Sequence, residues 1–311
     1  MKLIDDIIMR WNKLTPWTNV YGLSRSILAF STFLTLLLND VSYLFKPASG
    51  MDDYPAKIIL KHTFFSFGEN NYLTLNILKL IALVILFLVI IGWRPRITAI
   101  PHWYLMVSLQ NNLTVVDGGT QIAAVLTLLM IPIALMDDRK WHWQVSTKTN
   151  LYAKILSFVT YNVIRIQIAL LYFDSIVKKL AVDEWIDGTA VYYYINDPIV
   201  GFNSFFENIS HWFVNSPLIV LPTWGTLLVQ TVLFLALFAP KKYWPSILVI
   251  GIFMHEIFAL LLGLVSFSIT MTGVLIIYLL PIENQLNFSK FYNGFKKKKN
   301  QEDHTHEKVI Y

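Results

Sequence analysis

The sequence predicts an all-α, polytopic integral membrane bundle of about eight helices, and three observations lead there. Of the 311 residues, 55% are hydrophobic and only 14% are charged, whereas soluble domains carry roughly 25% charge. The apolar residues gather into runs close to the roughly 20 residues that cross a bilayer. Lys and Arg exceed Asp and Glu, 25 to 20, and they crowd into alternate connecting segments, which speaks for membrane topology and anionic lipid rather than nucleic acid. Cysteine is absent, which excludes disulfides, thiolate metal sites and cysteine nucleophiles.

In chain order, "MKLIDDIIMRW" sets Ile4, Ile7, Ile8 and Trp11 on one helical face. It lacks the apolar centre of a cleavable signal, so 1–16 reads as a retained interfacial helix. Spans are expected at 23–40, 73–93, 97–111, 120–136, 151–180, 217–239, 243–263 and 266–282. The third holds Pro101 and His102 and is expected to be broken or partly inserted. A tight turn near Ser266 joins the last two. Residues 181–216, acidic and aromatic, are expected to lie flat at headgroup depth. Residues 1–285 thus form one transmembrane domain, and 286–311, with Lys296 to Lys299, a charged cytoplasmic tail.

The positive charges orient this arrangement. One set of segments holds Lys2, Arg10, Lys13, Arg94, Arg96, Arg139, Lys140, Lys148, Lys154, Lys241, Lys242 and the tail lysines. The alternate loops hold only Lys46, Lys57 and Lys61, with none between spans three and four and none in 181–216. The positive-inside rule then puts both termini in the cytoplasm and 181–216 outside.

The chemistry-bearing candidates lie in the fifth span. "LLYFDSIVKKL" ends with two adjacent lysines. At 3.6 residues per turn, Arg165, Tyr172 and Lys179 fall within roughly 40° of one another, while Lys178 points away and has Asp174 four residues before it for an ion pair. An arginine near mid-span costs about 2.5–3.5 kcal/mol and must face protein or a wet cavity. A lysine sharing that stripe is placed to act as a base, whereas both lysines snorkelling to the interface is the other reading. His255 and Glu256 sit mid-span in the seventh run, either lining a cavity or packing helices. Ala259 occupies the place of the second histidine in the zinc-protease pattern, so a zincin is not expected. Arg25 and His102 read as anchors near cytoplasmic ends. In "VVDGGTQ", Asp117 is either a ligand or a turn residue beside Gly118 and Gly119. No phosphate-cradling loop, nucleophile elbow or metal cluster is evident, and no metal is expected.

"YFDSIVKKLAVDEWIDGTAVYYYI" resembles the tyrosine–lysine–tryptophan–glycine signature of the HTTM superfamily, which includes the vitamin K-dependent gamma-glutamyl carboxylase. By that resemblance Lys179 falls at the catalytic base and His255 near a functional histidine. Three further blocks, beginning "PWTNVYGLSRS", "GWRPRITAIPHWY" and "VVDGGTQIAAVL", together with the lysine segment itself, resemble the SdpB family. That resemblance implies a protein of the bacterial cell membrane. It would work in a cannibalism-toxin system with a small SdpA-like partner protein, maturing an exported precursor into an antimicrobial peptide. The cofactor stays unknown; a lipid-soluble quinone enters by the superfamily resemblance alone. Ser175 and Ile176 replace the carboxylase's small alanine–glycine pair, Thr120 stands where an acid often follows the glycines, and the large lumenal domain is absent. Those departures count against quinone-dependent glutamate carboxylation.

The expected site is therefore an outward-opening cavity floored by Arg165 and His255, with Tyr172 and Lys179 nearer its mouth. Trp185, Asp183, Glu184, Asp187 and Asp117 would contact the toxin precursor peptide. Two functions stay open, a peptide-maturing enzyme using Lys179 as base, and a non-catalytic scaffold that holds the precursor and partners for a separate protease. Membrane lipids are the remaining expected partners, and nucleic acid is not one.

Overall fold

In hydrocarbon every backbone N–H and C=O must find its partner within the chain, so apolar runs of this length fold as helices. The computed structural model describes residues 2–46, 62–68, 71–147, 149–197 and 215–286. Within them, α1 (Lys2–Lys13) leads to α2 (Asn19–Leu38), the single turn α3 (Val41–Leu44), α4 (Tyr72–Ile90), α5 (Pro95–Asn112) and α6 (Gly118–Leu135). The long α7 (Leu151–Leu180) follows, then the short α8 (Asp183–Ile186) and α9 (Ala190–Ile195), and finally α10 (Val220–Leu235), α11 (Trp244–Leu262) and α12 (Val265–Leu279). The described residues form no β-sheet; their one isolated bridge joins Trp93 and Trp141.

The chain is all-helical, as the sequence predicts, but eight crossings are not established. Six helices are long and apolar enough to cross a membrane: α2, α4, α6, α7, α10 with its leading turn, and α11 with its leading turn. The helix α5 runs unbroken through Pro101, against the expected break, yet is too polar to count. The helix α12 has only 15 residues. Its start at Val265, after Gly263 in the left-handed region (φ 70°), moves the expected turn slightly upstream of Ser266.

The core is organised around α12, whose residues from Gly273 to Leu279 are all buried. Small residues and hydroxyls let it approach α2 closely, as in membrane helix pairs generally. Ser24 Oγ donates to Gly273 O at 2.7 Å, Ser31 Oγ to Ser266 O at 2.6 Å, and Thr270 Oγ1 to Ser31 Oγ at 2.9 Å. A Cβ on Gly273 would stand 3.2 Å from Ser24 O, so that residue has little room to grow. Near the start of α2, Trp17 Nε1 donates to Ile133 O and Asn19 exchanges two bonds with Leu286, which fastens the two described ends of the chain together. A second core, with Leu36, Phe45, Phe65, Leu86 and Leu105, fills the space between α2, α4 and α5.

The helix α7 is about 45 Å long at 1.5 Å per residue, against a hydrocarbon core of about 30 Å. Its N-terminal part packs on α1, at the end of the bundle called here the terminal face. There Trp11 stacks on Phe158 with ring centroids 5.5 Å apart, and Lys154 Nζ donates to Asn12 O at 2.6 Å, closing the C-terminal end of α1. A helix thus stands where one was expected at the start of the chain, and it packs on the bundle. At the opposite, far face, α8 packs on the end of α7 and α9 on α10 and α11. Much of the expected outer segment, residues 198–214, lies outside the described residues, as do Lys57, Lys61, Lys148 and the tail from residue 287.

Arg25 and His102 are not anchors. Both are 2% exposed, and Arg25 Nη2 donates to Thr98 Oγ1 at 2.7 Å inside the bundle. They belong to a polar knot with the loop after α6, where Asp137 and Arg139 form a buried ion pair at 2.7 Å and Arg139 donates to His142 O and Gln144 O.

Candidate functional site

At the far face the last turns of α7 carry the two lysines, and the helix geometry divides them as expected. Lys178 turns outward and pairs with Asp174 at 2.7 Å, both side chains mostly in the open. Lys179 turns inward. Its Nζ donates to Ser175 Oγ at 2.7 Å, one turn back, and lies 5.2 Å from the centre of the Trp185 ring. No described carboxylate forms an ion pair with it. Ser175 Oγ in turn meets Gln230 Oε1 of α10 at 3.3 Å, so ammonium, hydroxyl and amide form a chain leading inward. Deeper still, Tyr172 OH and His255 Nε2 are 3.3 Å apart, both side chains almost completely buried. His255 is held edge-on by Phe258 and Phe267, and its Nδ1 has no partner.

These groups line a cavity with two lobes. Ser175, Lys179, Trp185, Tyr194, Gln230, His255 and Phe267 are common to both. One lobe, about 490 Å³, runs between α10 and α11 over Gly225, Val229, Ile250, Phe253 and Phe258 and is almost wholly apolar. The other, about 500 Å³, opens past Tyr172, Asp174, Lys178 and Gln121 and is the more polar of the two. Such a space accepts a ligand with an apolar body and a polar end. Among the described residues no group of three or more His, Cys, Asp or Glu side chains is arranged to hold a metal ion.

Arg165 does not floor this cavity. It lies about 21 Å back along α7 from Lys179, where its guanidinium stacks 4.2 Å over Trp244 at the start of α11 and Nε donates to Tyr278 O near the end of α12. The stripe is real, but α7 is much longer than its neighbours, so an arginine at the middle of the helix stands level with their ends. The floor is Tyr172 and His255. Glu256 points away from the cavity and accepts from Ser268 Oγ at 2.9 Å.

Of the expected peptide contacts, Trp185 alone turns inward and lines both lobes. Asp183 and Asp187 are exposed outside the cavity, and Glu184 is half-buried. Asp187 accepts from Thr189 Oγ1 and Thr189 N, which hold its carboxyl below the usual range. Asp117 caps α6, accepting from Thr120 N and Thr120 Oγ1 at 2.7 Å, while its second oxygen accepts from Ser266 Oγ. Thr120, noted as a departure from the carboxylase pattern, is thus the residue that satisfies this carboxylate. Ser175 and Gln230 were not expected at the site. The signal for Gln230 was an amide set inside "TLLVQTVLFL".

An all-helical membrane protein with a lysine turned into an amphipathic cavity is the class that fold and site define. The chain is 55% identical over 289 residues, 92% of its length and 93% of the relative's, to the uncharacterized protein YitO of Bacillus subtilis. It is 33% identical over 291 residues, 93% of its length and 90% of the relative's, to sporulation-delaying protein SdpB of the same organism. The chain belongs to the SdpB family. No family model matches it, and no solved structure matches it.

Proposed function

We propose that this protein matures an exported antimicrobial peptide precursor at the outer membrane face, with Lys179 as the proton acceptor. The far face is then extracellular and both termini are cytoplasmic, in line with the lysine and arginine distribution. Family membership supports the process, and the resemblance to the HTTM superfamily supports Lys179 as the base. The single observation that carries the chemical reading is the isolation of Lys179. Its neighbour has a carboxylate, whereas among the described residues Lys179 Nζ has only Ser175 and the face of Trp185 at the meeting of the two lobes. A neutral amine there can take a proton from a precursor held by its apolar part, with Tyr172 and His255 placed below to orient the reacting group.

The test is a pair of substitutions. Lys179→Ala is expected to leave membrane levels normal and abolish mature peptide, and Lys178→Ala to leave output near normal. Mass spectrometry of the recovered precursor reads both. Equal, mild losses from the two would instead favour the scaffold that holds precursor and partner for a separate protease.

A further inference from the structure

The terminal face carries a second cavity, of about 240 Å³, between α1, α7 and α11. It is remote from Lys179 and plays no part in the function proposed above. Three cations line it, Arg10, Arg165 and Lys241, against one acid, Glu283, which is already paired with Lys241. Arg165 is 9% exposed. Its Nε is used by Tyr278 O, its plane lies on Trp244, and its shielded Nη2 makes no hydrogen bond among the described residues. A buried guanidinium N–H left without an acceptor is costly, so this fork is set for an acceptor that the described residues do not supply. A planar fork suits the oxygens of a phosphate or carboxylate.

Depth decides between those ligands. Trp11, Tyr161 and Trp244 ring the cleft, aromatic residues of the kind that sit at headgroup level. Leu14, Ile7 and Phe158 provide an apolar wall beside the cations, along which an acyl chain can lie. Basic pockets among helices at a membrane surface are known to take anionic headgroups. We propose that this cleft binds the phosphate of an anionic phospholipid from the adjoining leaflet. The Arg165 guanidinium donates to a phosphate oxygen, Arg10 closes from α1, and the bound lipid fastens α1 against α7. The arginine that the sequence assigned to catalysis is, on this reading, a lipid-binding residue.

Native mass spectrometry of the full-length protein in detergent, titrated with phosphatidylglycerol, tests this. One tightly held phosphatidylglycerol is expected, weakened about tenfold or more by Arg165→Gln. Lys178→Gln, at the far face, is expected to leave it unchanged. Arg10→Gln lies on an exposed side chain and should weaken binding without disturbing the fold, which guards against an Arg165 variant that does not fold. Phosphatidylcholine should not compete, and inorganic phosphate should compete only far less strongly than the lipid. Equal phosphatidylglycerol affinity in the wild type and in both arginine variants would overturn the proposal. Inorganic phosphate binding as tightly as the lipid would overturn it in favour of a site for free phosphate.

Discussion

The imidazole of His142 is wedged against two glycines: a Cβ on Gly22 would lie 2.7 Å, and one on Gly92 2.3 Å, from its ring. Nε2 is 3.2 Å from Ser26 Oγ, and Nδ1 has no partner. Burial first, then the charges of Arg25 and Arg139, push its pKa down to about 2 from an ordinary 6.5. The folded form therefore holds the ring neutral. Its contribution to stability is complete above pH 6.5 and is lost as pH falls from there toward 2, because only the unfolded chain takes up the proton. The melting temperature of the detergent-solubilised protein should fall between pH 6.5 and 5, by up to about 1.4 kcal/mol of stability per pH unit from this residue. His142→Asn should flatten that slope, and an identical slope in the variant would refute the assignment. None of this was legible in the sequence, where "RKWHWQ" reads only as a loop. Helical spacing showed which way Lys178 and Lys179 point, since that depends on one helix alone. It did not show the depth of Arg165 or the partners of Arg25, which depend on where neighbouring helices end.

The helix α6 begins at a cap made by Asp117, and the same carboxylate reaches Ser266 just inside α12. Asp117→Ala removes the bonds to Thr120 and is expected to cost about 1 kcal/mol of stability, read as a lower melting temperature. Peptide output per molecule of folded protein should not change. A loss of specific output at unchanged stability would instead restore Asp117 to the peptide-contact role the sequence suggested. The helices themselves were legible from their apolar runs, some of which also end at a recognisable signal: Asn71 and Asn150 cap α4 and α7, and Gly263 ends α11. The number of crossings was less so. An apolar run records contact with lipid, whereas α5 buries His102 and Asn112 and α12 buries Ser268 and Thr270 against other helices. Helices that spend their surface on protein contacts carry polar residues and can be short, so hydropathy describes them poorly.

For the whole molecule, cavity and cleft lie at opposite ends of the bundle, so its orientation in the membrane decides which compartment reaches Lys179. Exposed cations favour the terminal face as cytoplasmic, and under the proposed function an exported precursor would then meet the more polar lobe on the outside. The chain contains no cysteine, which makes single cysteine substitutions clean reporters. Asp183, exposed at the start of α8, and Asp138, exposed in the loop after α6, stand at the two faces. In intact cells a membrane-impermeant maleimide is expected to label Asp183→Cys and to spare Asp138→Cys until the membrane is opened. The reverse pattern would place Lys179 on the cytoplasmic side. It would then remove the outer-face maturation reading, because a precursor that has already crossed the membrane would meet only the face bearing the arginine cleft.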